Sequence, residues 1–483
     1  MRIKSKQTLV LSLALLSLSG CFSLPKIRQP DPELPAAWPE GQAQAVVASD
    51  WWTSYNDPVL NSLEDEALVH NADIRLAAAR IDEARANLGL AKADQYPSAQ
   101  IGINAGRTKA TEVGSFPIPS PINNDFRANL QAVYEVDLWG RYRKASEAAR
   151  ADMLSTEYAR EVVRLSLASD VAKGYFALRA LDAQLDLTTQ TMTNRKDAID
   201  LQQLRFDNGL SSELDLRQAE AELASTDASA AQVKQAVRQQ ELALAVLLGR
   251  SPRAIVEDQV ARGSILSALT NPPAVPAGLP SDLLARRPDL RQAEQNLLAT
   301  QARIGEAKAK LFPDLSLTGN LGSESKRLAD LFSGPATVWG LTASLVQTVY
   351  NAGRTESALQ AADARQTQAL VNYDQAVQGA FREVLNALVA QRQLRELVDA
   401  DQRRIDALSK ASELADLRYK NGIDNYLLVL DAQRSLYQAQ QNTIDARRAQ
   451  LSATADLFKA LGGGWDGTVA DHNASAAKAI NSP

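Results

Sequence analysis

Residues 126–141 read FRANLQAVYEVDLWGR, and this stretch joins the two kinds of structure that the sequence predicts. Up to residue 138 the side chains alternate, which predicts a β-strand with one apolar and one polar face. From about residue 141 to 205 there is no proline, and Gly174 is the only glycine, which predicts a very long helix. The apolar face of the strand consists of Phe126, Ala128, Leu130, Ala132, Tyr134, Val136 and Leu138.

The same design occurs twice. Three matching pairs, each 213 positions apart, indicate duplication of one large structural unit. The pairs are Leu138-Trp139-Gly140-Arg141 with Asn351-Ala352-Gly353-Arg354, FDNGL at 206–210 with YKNGI at 419–423, and Leu248-Gly249 with Leu461-Gly462. The first repeat covers 58–249, with strands at about 97–107 and 126–138; the second covers 281–465, with strands at about 313–323 and 336–347. Residues 250–280, which contain Pro252 and Pro272, form the predicted link between the repeats.

The helical segments carry a coiled-coil pattern. Steps of three and four residues connect the small and apolar residues Leu216, Ala219, Leu223, Thr226 and Ala230. This spacing predicts a left-handed supercoil of closely packed helices. A helix of roughly 65 residues is about 100 Å long, which is longer than a globular core requires.

The N-terminus has the features of a bacterial lipoprotein signal. Arg2, Lys4 and Lys6 precede a short apolar run, and Leu18-Ser19-Gly20-Cys21 follows it as a lipobox. We therefore expect a signal peptide at 1–20, a lipid on Cys21, and a lipidated arm at 21–57 that leads to the folded body. An ordinary signal peptide with an incidental cysteine is the alternative. The polar segment 466–483 is expected to be a disordered tail.

The composition excludes several classes of function. The net charge is −5 and the sequence pI is about 5.4, so no nucleic-acid partner is expected. His70 and His472 are the only histidines, and Cys21 is the only cysteine. Because no motif for catalysis, metal binding or nucleotide binding is found, we expect neither an enzyme nor a cofactor apart from the covalent lipid.

The number of strands predicts an assembly. Four amphipathic strands cannot close a cylinder, and an open edge in lipid would leave backbone groups without hydrogen bonds. Three copies of the chain would supply about 12 strands, a suitable number for a barrel with a wet lumen. A soluble sandwich with one solvated face is the alternative for the strands taken alone.

These features resemble the TolC-type outer membrane efflux proteins, in the lipid-anchored branch that serves resistance-nodulation-division pumps. The motifs that carry the resemblance are LSGC at 18–21, DLWGR at 137–141, LARRPD at 284–289, the stretches from 421 to 434, and LGGGW at 461–465. The resemblance implies a mostly α fold with a membrane β part, built as a homotrimer. In that fold a 12-stranded β-barrel, four strands from each chain, is continuous with a 12-helix α-barrel tunnel.

The same resemblance implies an export function. The chain would be the outer membrane channel of a tripartite efflux system in a Gram-negative bacterium, lipid-anchored among outer membrane lipids and extending into the periplasm. Its partners would be a periplasmic adaptor (membrane fusion) protein and an inner membrane resistance-nodulation-division pump. A protein duct for type I secretion, or a non-conducting coiled-coil envelope lipoprotein, are the alternatives. The cargo stays open between drugs and other small toxic molecules.

By resemblance, the far end of the tunnel is an iris-like gate. Its residues would be Leu427, Asp431 and Arg434, with Asp215 facing them. Three copies of Asp431 would form a charged ring and Leu427 would narrow the bore, while Arg434 could hold Asp431 in place. Alternatively, Asp431 is a carboxylate near a helix N-terminus, where the helix dipole favours it. The adaptor-facing turns would be Gly209, Leu210 and Ser211 in the first repeat and Gly422, Ile423 and Asp424 in the second.

Overall fold

The computed structural model describes residues 33–35, 38, 48–113, 121–269 and 280–465, although not the side chains of 280–282. The predicted signal segment, Cys21, most of the predicted arm, part of the predicted link and the predicted tail at 466–483 lie outside the described residues.

Long helices and four strands make up the described chain. In chain order its elements are α1 (Pro58–His70), α2 (Ala72–Ala93), β1 (Ser98–Lys109), β2 (Ile122–Val136), α3 (Arg141–Asp207), α4 (Glu213–Leu247), α5 (Pro252–Glu257), α6 (Pro280–Arg286), α7 (Pro288–Ala309), β3 (Asp314–Ser325), β4 (Thr337–Val346), α8 (Arg354–Lys420) and α9 (Tyr426–Ala460). Helices α3 and α8 have 67 residues each, and α4 and α9 have 35 each, so the duplication seen in the sequence is also present in the helices. The predicted fold class, mostly helical with four strands per chain, is confirmed.

The chain divides into two compact units that do not coincide with the two sequence repeats. Among the described residues, the first unit comprises Ala86–Asp152 and Asn296–Val371, and the second comprises the remainder. Each unit therefore draws on both repeats. The reason lies in the strands, because the hairpin of one repeat pairs with the hairpin of the other.

The first unit contains one antiparallel sheet with the strand order β1-β2-β3-β4. One row across the sheet joins the apolar residues Ile101, Leu130, Leu321 and Trp339. The adjacent row on the other face joins the polar residues Gln100, Gln131 and Asn320. The predicted faces are therefore present in the middle of the sheet, where these rows match apolar to apolar and polar to polar residues. The apolar face is open in the single chain: Ile101 is 79% exposed and Trp339 is 77% exposed.

The sequence motif at 138–141 fixes the passage from β2 to α3. The Trp139 ring stacks on Phe312 with 4.7 Å between ring centroids, and its indole N–H donates to the carbonyl of Pro313 at 2.8 Å. Arg141 donates to Asp314 at 2.8 Å and to Glu135 at 2.7 Å. Trp139 and Arg141 thus hold the C-terminal end of β2 next to the N-terminal end of β3.

The second unit has its core where the helices meet the segment before α1. Trp51 stacks on Phe458 with 5.0 Å between ring centroids, and the Tyr55 hydroxyl donates to the carbonyl of Leu451 at 2.9 Å. The fully buried Asp57 caps α1 and accepts hydrogen bonds from the Tyr175 hydroxyl at 2.7 Å and the backbone N–H of Ser264 at 3.0 Å. The linker and α3 are thereby joined at one carboxylate.

Each return helix meets the start of a second helix. The Asn71 amide donates to the carbonyl of Leu247 at 2.8 Å, and Arg287 donates to the carbonyl of Ala460 at 3.0 Å. Leu247 and Ala460 are equivalent positions of the two repeats. Both side chains satisfy a carbonyl that would otherwise be unpaired at a helix C-terminus. The break at Asn71, between α1 and α2, therefore creates a junction that matches the one at Arg287.

Among the described residues, no helix is both long enough and apolar enough to cross a lipid bilayer.

Candidate gate at the two helix turns

The turns between the long helices and the return helices share one backbone geometry. Gly209 has φ of +71° and Gly422 has φ of +70°, the left-handed region that favours glycine. Leu210 N–H donates to the Arg205 carbonyl at 2.7 Å, and Ile423 N–H donates to the Arg418 carbonyl at 3.0 Å. With the bonds from the two glycine N–H groups, each helix ends in a Schellman motif.

The two turns differ in their side chains. Asp424 forms a two-point ion pair with Arg418, and this hydrogen bonding lowers the pKa of the half-buried Asp424 carboxyl. The equivalent residue in the first turn is Ser211, which forms no ion pair. There the adjoining Ser212 and Asp215 form a capping box, in which Ser212 Oγ accepts from Asp215 N–H at 3.2 Å. Asp215, predicted as a gate residue, has a structural function as a helix cap.

Exposed apolar side chains surround both turns at equivalent positions. Leu204, Leu210 and Leu214 are 61%, 70% and 65% exposed, and their counterparts Leu417, Ile423 and Leu427 are 56%, 61% and 50% exposed. The chain thus presents the same apolar pattern twice. Patches of this kind are typical of interaction surfaces.

The predicted gate residues lie on one face of α9. Leu427, Asp431 and Arg434 are separated by four and three positions, so they follow each other along the helix surface. All three are exposed. The opposite face packs inward, where Val429 and Leu430 are each 2% exposed.

A small core supports this face from behind. Its members are Ala219, Tyr419, Tyr426, Val429 and Leu430. The Tyr419 hydroxyl donates to the buried Gln202 side chain at 2.9 Å, and burial raises the pKa of Tyr426 to about 12. Tyr426 is therefore a neutral phenol at physiological pH.

Arg434 does not hold Asp431, contrary to the sequence-based expectation. It donates through Nε to Glu222 of α4 at 2.7 Å, and its Nη2 contacts the same carboxylate. Arg195 of α3 also pairs with Glu222. Among the described residues, Asp431 makes no hydrogen bond or salt bridge, and it acts on Arg434 only through its charge. Glu222 is the carboxylate at which the two arginines meet, Arg195 from α3 and Arg434 from α9.

We call Arg195, Glu222 and Arg434 the inter-helix latch. Burial alone would raise the pKa of Glu222, but the hydrogen bonds from Arg434 and Arg195 outweigh it and lower the pKa. The carboxylate therefore stays ionised and links α3 and α4 to α9. Sequence reasoning missed Arg195 and Glu222, which belong to no motif; the only available signal is the position of Glu222 beside the coiled-coil seam.

Within the part of the chain that the structure describes, no group of three or more His, Cys, Asp or Glu side chains could hold a metal ion.

Sequence comparison identifies similar proteins over almost the whole chain. Residues 63–250 and 279–463 match the family described as outer membrane efflux protein. The chain is 35% identical over 461 residues to the solvent efflux pump outer membrane protein SrpC of Pseudomonas putida, covering 94% of this chain and 97% of the relative. It is 34% identical over 455 residues to the cation efflux system protein CusC of Escherichia coli strain K12, covering 93% of this chain and 97% of that relative.

Solved structures give the same result at the level of the fold. The Campylobacter jejuni CmeC outer membrane channel superposes with a TM-score of 0.89 at 25% identity, covering 95% of this chain and 98% of that one. The open state of the Neisseria gonorrhoeae MtrE outer membrane channel superposes with a TM-score of 0.82 at 31% identity, covering 92% and 98%.

Proposed function

Because the chain belongs to the outer membrane efflux protein family, we propose that it acts as a homotrimer in a tripartite efflux pump. The chain is an outer membrane efflux channel. The observation that carries the proposal is the near full-length match to relatives named as the outer membrane proteins of efflux pumps. Since the family is one of channels, no catalytic step is assigned to the chain.

The sheet supports the trimeric assembly. β1 and β4 are edge strands, and four strands are too few to enclose a lumen. An edge left open in lipid costs several kcal/mol for each unpaired backbone group. Three copies would remove all edges and turn the apolar face toward lipid.

We propose that the two turns dock a periplasmic adaptor protein. The support is the pair of matching apolar patches, Leu204, Leu210 and Leu214 with Leu417, Ile423 and Leu427, at the surface of the turns. An inner membrane pump of the resistance-nodulation-division class would supply the energy, and the channel itself would be passive.

The gate proposal combines the exposed face of α9 with the latch behind it. Three copies of Asp431 around a threefold axis would repel each other, and three copies of Leu427 would limit hydration of the bore. The latch would hold α9 against α3 and α4 in the closed form. An adaptor that prefers the open form would shift the equilibrium.

Planar bilayer recording tests both the channel and the gate. Purified protein should give a small conductance, and Asp431→Ala should increase it because the like charges at the narrowest point are removed. Asp445→Ala, an exposed carboxylate further along α9, is the matched control and should leave the conductance unchanged. Silence of the wild type and of Asp431→Ala would contradict the channel proposal and favour a structural spacer.

We further propose that Cys21 carries lipid and anchors the chain in the outer membrane. Its support is the sequence LSGC at 18–21 alone. Mass spectrometry of the mature N-terminus should find a diacylglycerol-modified cysteine as the first residue. A mature chain that begins at any other residue would contradict this proposal.

We propose that the partners of the channel, rather than the channel itself, choose the cargo. SrpC is named for solvents and CusC for cations, although this chain is similarly related to both. On the sheet, the central polar row contains the uncharged amides Gln100, Gln131 and Asn320. We therefore propose that the channel conducts small toxic molecules without strong chemical selection of its own.

A further inference from the structure

The edge strands β1 and β4 each lack a hydrogen-bonded neighbour on one side. Their equivalents in the other repeat, β3 and β2, have a neighbour on both sides. β1 and β3 are equivalent strands of the two repeats, as are β2 and β4. Within the chain, β2 and β3 pair with each other, whereas β4 and β1 are left at the edges. The junction between β2 and β3 is therefore a template for a junction between β4 of one copy and β1 of the next.

Two constant shifts relate the repeats within this unit. Tyr96-Pro97-Ser98 before β1 corresponds to Phe312-Pro313-Asp314 before β3, a shift of 216 positions, while β2 and β4 differ by 213. The individual values come from the sequence matches, and the observed registers agree with their sum. Ile101 lies opposite Leu130 in the first hairpin, and applying the two shifts gives Leu317 opposite Ala343, which is the pairing in the second hairpin.

The same shifts, applied to the β2–β3 pair, fix a register between copies. Gln131 lies opposite Asn320 in the chain. Their equivalents are Ser344 and Asn104. Resting on the trimeric channel proposed above, we propose that β4 pairs antiparallel with β1 of a second copy so that Ser344 lies opposite Asn104.

This register matches the two faces in the middle of the strands, where Ala343 lies opposite Ala105, whereas further along it places Leu341 opposite Arg107 and Gln347 opposite Ile101. It places Leu345 opposite Ile103 of the neighbouring copy, joining side chains that are 65% and 79% exposed in the single chain. On the polar face it places Thr348 opposite Gln100. A slip by one residue would put apolar side chains opposite polar ones, which the pleat of a sheet penalises.

The residues after β4 support the same pairing. Residues 347–349 form no strand and are exposed, with Val349 93% exposed. Their equivalents, residues 134–136, end β2 and pair with residues 315–317 of β3. In the proposed register, residues 347–349 meet residues 99–101 of the second copy, so β4 would extend to the length of β2.

A glycine gives independent support. Gly322 lies opposite Asn129, and a Cβ atom there would stand 2.3 Å from the carbonyl oxygen of Ala128, because the β2 backbone approaches closely. Its equivalent in β1 is Gly106, where the nearest atom to a Cβ within the chain is the Asp125 carbonyl oxygen at 3.8 Å. Contacts within the single chain therefore do not explain why residue 106 is a glycine. In the proposed register Gly106 lies opposite Thr342 and would receive the β4 backbone of the second copy.

Disulfide cross-linking in isolated outer membranes tests the register. Directly opposite Cβ atoms lie about 4.5–5.5 Å apart and diagonal ones about 7–8 Å, so oxidation distinguishes them. The double variant Asn104→Cys/Ser344→Cys should run mostly as a covalent trimer. The pair displaced by two residues, Asn104→Cys/Thr342→Cys, should give less than about a tenth as much.

The repeat offers a matched control inside one chain. Gln131→Cys/Asn320→Cys occupies the equivalent pair and should oxidise without forming oligomers. Cross-linking of the displaced pair instead, or of neither pair while the internal control oxidises, would overturn the inference. Efflux by the reduced variants and the wild-type conductance report separately on the proposed function, so a wrong register and a wrong function give different results.

Substitution of the glycine provides a second measurement. Gly106→Val should abolish the trimer that is extracted in mild detergent, because valine leaves no room for the neighbouring β4. Gly319→Val in β3 is the matched control, since a Cβ at Gly319 meets only Leu341 at 3.9 Å, and it should preserve the trimer. A stable Gly106→Val trimer would contradict the inference.

Discussion

Glu222→Gln is expected to increase the conductance of the channel more than any other single substitution in the gate. The change removes the carboxylate that accepts hydrogen bonds from Arg195 and Arg434, and it leaves the side-chain volume almost unchanged. With the latch broken, α9 is no longer held to α3 and α4, so the open form gains population.

The size of this effect follows from the exposure of the pair. Hydrogen bonds to charged groups contribute ~1.5–3 kcal/mol each, and half-exposed ion pairs contribute less. Arg434 is 52% exposed and Glu222 is 12% exposed. A total near 2 kcal/mol would change the ratio of open to closed channels about 30-fold.

Glu220→Gln is the control for Glu222→Gln. Glu220 lies on the same helix, but its partner Arg217 is on that helix too, so the pair links no two helices. In bilayer recordings, the open probability should therefore be higher for Glu222→Gln than for Glu220→Gln. Equal open probability in wild type and Glu222→Gln would show that the latch does not hold the gate.

Acid should mimic the substitution. The pKa of Glu222 is lowered in the folded chain, so its contribution is present above the unfolded value of about 4.3 and is lost as the pH falls through the lower folded value. Wild-type conductance should rise below about pH 4, whereas Glu222→Gln should lack this component.

Arg287→Ala is expected to cause the largest loss of stability. The Arg287 side chain is 8% exposed and makes two hydrogen bonds to Asp289, at 3.0 and 2.6 Å, and one to Glu383 at 2.8 Å. It also donates to the Ala460 carbonyl at the end of α9. Burial alone would lower the pKa of Arg287, but Asp289 and Glu383 outweigh it and raise the pKa.

The Asp289 and Glu383 carboxylates that remain are 34% and 49% exposed. We therefore expect a loss of about 2–3 kcal/mol, below the ~3–5 kcal/mol of a fully buried pair. Urea unfolding at a fixed protomer concentration should show this loss, since the stability of an oligomer depends on concentration. Arg253→Ala should change the free energy of unfolding by less than about 0.5 kcal/mol, because Arg253 is 84% exposed. A loss below about 1 kcal/mol for Arg287→Ala would contradict the assignment.

The sequence was sufficient to predict those features that depend on a regular side-chain pattern or on a glycine in a turn. Alternation predicted which strand residues share a face, and the matched Asn-Gly pairs predicted the turns at Gly209 and Gly422. Pro288 and Asp289 are residue types typical of a helix start, and α7 begins at Pro288.

The ion pairs between helices were beyond sequence reasoning. Arg434 has a carboxylate three positions before it, at Asp431, and a closer one in space on another helix, at Glu222. Choosing between them requires the rotation of α9 relative to α4, which periodicity determines only approximately. The pairing of strands from different repeats was likewise inaccessible, because either strand of the second repeat could have been the further neighbour of β2.

The open edges of the sheet have a consequence for the newly made protomer. A single copy has unpaired backbone groups at both edges of a sheet with an exposed apolar face, and such edges can pair with strands of other chains. Assembly of the proposed trimer therefore competes with aggregation through these open edges.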